Sequence, residues 1–135
     1  MQSVEALNRL NTGTLPGLFG IHVLNVDTRS LTAEMIIKPE FLSPNGYLHA
    51  GTVISLADTT CGYATIANLP EGAQNFTTIE LKANFLGTAK EGVLTCRANM
   101  LHGGKMTQVW DAQVLSDDKP IALFRCTQMI LYPRG

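Results

Sequence analysis

Charge of one sign is what this 135-residue chain most plainly lacks: 10 Lys and Arg stand against 11 Asp and Glu, a formal net charge of −1. A near-neutral surface gives no electrostatic footprint for nucleic acid or for a membrane surface, so neither partner is expected. Cysteine is scarce too. Cys61, Cys96 and Cys126 are odd in number, far apart and without a CxxC pair. That argues against a disulfide framework or a zinc site and predicts reduced, intracellular thiols. The opening residues, MQSVEALNRL, have no basic stretch leading into an apolar run; no signal peptide is expected, and the predicted compartment is the cytoplasm. No His, Asp and Glu spacing resembles a metal site. Gly103-Gly104-Lys105 lacks the following helix of a phosphate loop and predicts a hairpin turn. Internal repeats, low-complexity segments and linkers are absent, and the length suits a single domain over residues 1–135, with core enough to fold without staples.

Proline is missing from one stretch that organises the rest. Residues 49–68, HAGTVISLADTTCGYATIAN, contain no proline, and Asp58 is their only formally charged side chain. Val53, Ile54, Leu56, Ala57, Ala64, Ile66 and Ala67 spread around most of a helical circumference, which predicts a helix buried on nearly all sides. At 1.5 Å per residue it would be ~30 Å long, a length that also suits a membrane span. The Ser, Thr and Gly content, the central Asp and the strand-like flanks favour a core helix instead. An unpaired carboxylate in such a helix is expensive, which makes Asp58 the first functional candidate.

Around this helix, residues 3–11 predict a short amphipathic helix capped by Ser3, with Val4, Leu7 and Leu10 on one side. Gly13, Pro16, Gly17 and Gly20 break regularity. Residues 18–26 and 31–38 predict two strands joined around residues 27–30. Ser43-Pro44-Asn45-Gly46 is a turn signal, and Leu69-Pro70-Glu71-Gly72 ends the long helix. From Phe76 onward the period is two. Ile79, Leu81, Ala83 and Phe85 oppose Thr78, Glu80, Lys82 and Asn84, and three further alternating runs follow, predicting a four-strand antiparallel meander. The expected class is α+β: a twisted sheet with one apolar face covered by the helix. Because the helix is apolar on its other sides, a strongly curved sheet or a second subunit is needed to complete its burial.

The runs LHAGTVISLADTTCGYA and FTTIELKANFLGTA resemble the hotdog-fold acyl-CoA thioesterases, most closely the phenylacetate-degradation type. That pattern is a His-Gly-Gly helix start, an acidic residue nine positions after the His, and a later strand reading Thr-hydrophobic-Glu-Leu-Lys. Here His49 and Asp58 have the spacing, and Thr78-Ile79-Glu80-Leu81-Lys82 supplies the strand. The resemblance covers about residues 15–132. It implies a curved antiparallel sheet wrapped around the central helix, homodimers that assemble into homotetramers, and active sites at the dimer interface. It implies an acyl-CoA substrate and no cofactor, coenzyme A entering as part of the substrate. One departure is that the family's first Gly is Ala50 here, which keeps the backbone donor. Another is the short segment between Asn45 and His49.

Thioester hydrolysis needs a polarised carbonyl, a placed nucleophile and a thiolate that departs. A helix N-terminus offers unpaired N–H groups and positive dipole density, so the N–H of Ala50, with Gly51 beside it, is the expected oxyanion site. Asn45 adds an amide donor. Asp58 either attacks the carbonyl or acts as general base on water. By the resemblance, Thr78 orients water and His49 lies near the sulfur. Lys82 and Lys105 are candidates for the coenzyme A phosphates. Each has a plainer reading: Asp58 as a hydrogen-bonded structural carboxylate, His49 as a helix cap, Asn45-Gly46 as a turn, Thr78 as a strand residue, the lysines as a solvated face. A hotdog hydratase or dehydratase, and a non-catalytic acyl-CoA-binding module, are the alternative functions. Desolvation raises the pKa of Asp58 while the helix dipole lowers it, and the sequence leaves the net direction open.

Overall fold

The computed structural model describes all 135 residues. The 49–68 stretch forms α3, Ala50–Ala67, capped by His49 at one end and Asn68 at the other. Pro70 ends it, as expected, since proline has no N–H to continue the ladder. Four hydroxyl side chains in α3 bond backbone carbonyls: Thr52 to Phe41, Ser55 to Gly51, Thr60 to Leu56 and Thr65 to Cys61, all at 2.7–2.8 Å. These bonds let a helix with this many polar groups sit in a core.

The six strands are β1 (His22–Asp27), β2 (Ser30–Ile36), β3 (Asn75–Phe85), β4 (Val93–Gly103), β5 (Thr107–Ser116) and β6 (Lys119–Leu131). They form one sheet in the order β1-β2-β4-β5-β6-β3, every pair antiparallel. α3 touches all six strands, which a flat sheet would not allow; the sheet curls around it. Leu31, Ala33, Met35, Leu94, Cys96, Ala98, Trp110, Ala112, Val114, Phe124 and Cys126 point at the helix and are buried. Leu56, Ala57, Cys61 and Ala64 meet them from α3.

The meander expectation holds only for β4, β5 and β6. β3 pairs with β6, and residues 86–92 carry the chain across so that β4 lies between β2 and β5. Hydrophobic alternation sets a strand's faces but not its neighbours. A second correction concerns β3 itself. Its register against β6 shifts between Thr78 and Glu80, with Thr78 opposite Gln128 and Glu80 opposite Thr127. This bulge at Ile79 turns Thr78 onto the helix-facing side with Leu81, Ala83 and Phe85, away from Glu80, Lys82 and Asn84.

The N-terminal region also differs. α1 spans Val4–Arg9, with Ser3 accepting from the Ala6 N–H (3.1 Å); Leu7 is buried, while Leu10 is exposed. Residues 15–19, read in part as strand, form a one-turn helix α2, Leu15–Phe19, with Pro16 in its first turn and Gly20 as its left-handed cap (φ 69°). Proline opening and glycine closing is a helix pattern on this short scale. Phe19 stacks on Phe41 at 4.9 Å between ring centroids, which places α2 beside the chain entering α3.

Candidate active site

Three residues build the start of α3. The His49 peptide N–H donates to Phe41 O (3.1 Å) and Leu42 bridges Leu48, so the 43–47 turn projects directly from the helix N-terminus. The His49 ring caps the helix: Nδ1 accepts from the Gly51 N–H at 2.7 Å. An imidazole accepting at Nδ1 carries its proton at Nε2 when neutral, so the exposed edge of His49 is a donor. Gly51 therefore has no free N–H. The Thr52 and Val53 N–H groups both donate to His49 O. The N–H of Ala50 is left with no acceptor in the chain, at an exposed position. Of the two backbone donors expected there, the structure leaves one available.

Asn45 sits at the exposed tip of the turn. Its Oδ1 accepts from the Tyr47 N–H (3.1 Å), a local closure typical of Asn before Gly, and its amide N–H groups have no partner in the chain.

Asp58 lies on the α3 face that the sheet does not cover, in line with the half-buried Ser55 and Ile54. Its Oδ1 is buried without a hydrogen-bond partner, while its other oxygen is not among the sealed atoms. The structural-carboxylate reading thus loses its support, because no Thr or backbone group satisfies it. Burial pushes the Asp58 carboxyl above its ordinary value; two turns in, the dipole field of the helix end has faded.

Thr78 reaches the same region. A Cβ added to Gly62 would meet the Phe76 ring at 3.2 Å, which fixes β3 against α3. The chain reverses through residues 68–74, so β3 runs back along the helix. Two residues of strand and four of helix both cover about 6–7 Å, which puts Thr78 at about the height of Asp58 along the helix axis. The Thr78 hydroxyl donates to Gln128 Oε1 at 2.7 Å, so its proton is committed and it faces other groups as an acceptor. Gln128 was not singled out from the sequence. The available signal was a polar residue in the inward phase of an otherwise apolar strand, after Ala122, Phe124 and Cys126.

The lysines lie elsewhere. Lys82 is on the outer face of the sheet, in a cavity of about 720 Å³ shared with Arg97, Asp111 and Arg125, across the sheet from Asp58. Arg125 is paired with Asp111 (2.6 Å). Lys105 is in the β4–β5 turn, next to the strand end where Gln108 bonds Asn68 O, and so at the end of α3 far from Ala50. The three cysteines are unpaired and buried; burial pushes Cys96 up to about 12 and Cys61 well above the usual thiol range, which makes both poor nucleophiles. No group of three His, Cys, Asp or Glu side chains is placed to hold a metal ion, and no helix is long and apolar enough to cross a membrane.

The sequence pattern of the thioesterase superfamily matches residues 45–122. Acyl-coenzyme A thioesterase PaaI of Escherichia coli is 31% identical over 108 residues, covering 78% of this chain and 74% of that protein. A 1,4-dihydroxy-2-naphthoyl-CoA hydrolase of Listeria monocytogenes is 28% identical over 109 residues, covering 80% and 88%. A crystal structure of a thioesterase from Pseudomonas aeruginosa superposes with a TM-score of 0.91 at 30% identity, covering 97% of this chain and 95% of that one. With more than half its length matched by the family pattern and nearly all of it shared with a solved thioesterase, the chain belongs to the thioesterase superfamily and is built on its hotdog fold.

Proposed function

We propose that this protein hydrolyses acyl-CoA thioesters in a site shared between two subunits, Asp58 of one subunit acting on a carbonyl polarised by the Ala50 N–H of the other. The observation that carries the reading is the half-buried carboxylate of Asp58 with its unpartnered Oδ1. A carboxylate left unsatisfied at a structural cost is what a base or nucleophile waiting for substrate requires.

Helix geometry supports the two-subunit reading. Ala50 and Asp58 are eight residues apart on one helix, about 12 Å along its axis, whereas donor and attacking group must both lie within about 3–3.5 Å of one carbonyl. A second copy running the other way supplies the missing half. β3 is a sheet edge with unpaired backbone on its outer side, and on it Ile79 is 53% and Phe85 47% exposed. An open apolar edge of this length invites pairing. Edge-to-edge pairing of two copies would bring the uncovered α3 faces towards each other, and such dimers are expected to associate into tetramers.

In this site the oxyanion forms against the Ala50 N–H, with the Asn45 amide as a second donor and the His49 Nε2–H on the sulfur side. Asp58 either attacks the carbonyl carbon or takes a proton from the water that does. The C–S bond then breaks and the thiolate departs. Within one chain Lys82 and Lys105 are both remote from Ala50 and Asp58, so either would meet the coenzyme A phosphates of a site built with a neighbouring copy. Charge reversal at each separates the two through KM.

The test is free-thiol release from a panel of aryl-, short-, medium- and long-chain acyl-CoAs, run beside light scattering. Turnover by a dimer or larger species is the expected result. Saturable acyl-CoA binding without turnover would instead establish a binding module, and full turnover by a stable monomer would remove the shared site.

A further inference from the structure

Two buried side-chain polar atoms in this chain lack a hydrogen-bond partner: Asp58 Oδ1, an acceptor, and Gln128 Nε2, a donor. Gln128 is fully buried (0% exposed) on the inward face of β6, where Ala122, Phe124, Cys126 and Ile130 are its apolar company. Its cross-strand neighbour on β5, Gln108, is buried to the same degree, and both of its ends are used. Gln108 Nε2 donates to Asn68 O (2.8 Å) and its Oε1 accepts from Trp110 Nε1 (2.9 Å). Gln108 ties β5 to the end of α3, and a structural role accounts for it. Gln128 uses only its oxygen, on the Thr78 hydroxyl. Apolar packing would serve that position better than an amide with two idle donors, because a buried unpaired polar group destabilises the fold.

Resting on the thioesterase reading of the same site, we propose that Gln128 is a positioning residue that, together with Thr78, holds the hydrolytic water beside Asp58. The amide accepts from Thr78 at Oε1 and has Nε2 free one bond angle away. A water spanning the two closes a ring: it accepts from Gln128 Nε2 and donates to the Thr78 oxygen, whose own proton is already committed. On this proposal the second water proton goes to the unpartnered Oδ1 of Asp58. Three of the four tetrahedral directions of the water are then fixed, and the remaining lone pair faces the carbonyl carbon. In the step itself that lone pair forms the C–O bond as Asp58 takes the proton. The C–S bond breaks with its electron pair leaving on the coenzyme A sulfur, and the proton on Asp58 passes to solvent or to that thiolate.

The experiment compares wild type, Gln128→Met, Thr78→Val and the double variant in thiol release, with and without added hydroxylamine and with the uncatalysed reaction subtracted. Met keeps the length of Gln and removes both amide ends; Val keeps the shape of Thr and removes the hydroxyl. Each single change is expected to lower kcat on the order of 100-fold with little change in KM. The double variant should be no worse than the worse single one, since the pair acts as one device. Hydroxylamine, which needs no held water, should restore acyl transfer in both single variants, an effect that a packing defect would not produce. Unchanged kcat in a folded single variant, additive losses, or no restoration by hydroxylamine would each overturn the proposal. Should Gln128→Met fail to fold, Gln128→Glu, which keeps the shape and the acceptor for the Thr78 hydroxyl and removes the Nε2 donor, decides by its kcat and its response to hydroxylamine. A wild type inactive on every acyl-CoA would remove the thioesterase reading and this one together, whereas active wild type with indifferent variants removes only this one.

Discussion

Ala50→Pro isolates one hydrogen atom. Ala50 is the first residue of α3, its N–H has no acceptor in the chain, and its side chain is exposed. Proline is favoured at this helix position because the missing N–H would be unpaired anyway. It requires the preceding residue to be extended, and His49 already is, at φ −68° and ψ 135°. The substitution should therefore leave folding stability within about 0.5 kcal/mol of wild type. If the Ala50 N–H stabilises the oxyanion, its removal should raise the barrier by about 3–4 kcal/mol, a loss of 10²–10³ in kcat. Ala50→Gly keeps the N–H and should retain kcat within a few-fold, with a small stability cost from backbone entropy. The assay is thiol release at saturating acyl-CoA, paired with thermal unfolding of each variant. A Pro variant with wild-type unfolding and wild-type kcat would refute the oxyanion assignment, since no other backbone donor at this helix end is free.

Asp58→Asn should cut kcat by about 10²–10⁴ while leaving unfolding unchanged or raising it. The partly buried carboxylate charge costs about 1 kcal/mol, the low end for such groups because it still reaches solvent; Asn keeps a polar atom in that place but removes the charge, and relief of that is worth about 4 °C in Tm. The sign with pH is fixed by burial raising the folded-state pKa: Asp58 destabilises the fold most above that raised value, and the penalty vanishes below the unfolded one. The Tm gain of Asp58→Asn should accordingly shrink as the solution is acidified, and a gain that grows in acid would contradict the reasoning. Wild-type kcat should likewise fall on acidification at a higher pH than an exposed aspartate would give, because the reaction needs the carboxylate. His49→Ala should lower stability by about 1 kcal/mol through loss of the cap on the Gly51 N–H, and His49→Asn should restore it; thermal unfolding of the pair tests this, and equal stability of all three proteins would deny the cap.

The long helix was legible because its ends are chemical: an uninterrupted run, then Pro70, with no competing signal between. The faces of β4, β5 and β6 were legible for a similar reason, since each alternates over most of its length and departs from it only at the register shifts near Leu101 and Val114-Leu115. The position of β3 was not, because period two says nothing about which strand lies alongside. Nor was the Ile79 bulge, where one extra residue reverses the facing of Thr78 without disturbing the visible pattern. Leu18 and Phe19 were misread as the start of a strand because Pro16 and Gly20 were taken only as breakers; the same residues that break a long helix open and close a short one. At the site, the spacing of His49 and Asp58 identified the helix, but the choice between the Ala50 and Gly51 donors depended on a rotamer of His49. The role of Gln128 depends on a pairing across 50 residues, which no local window contains.

The burial of Cys61, Cys96 and Cys126 has a practical side. The proposed reaction liberates a thiol, and a thiol-reactive dye is the simplest way to follow it. A folded chain whose three sulfhydryls are at most 1% exposed contributes almost no signal of its own and forms no mixed disulfide with the released coenzyme. The same dye added in denaturant should count three equivalents per chain. One reagent therefore reports product while the protein is native and the unfolded fraction when it is not.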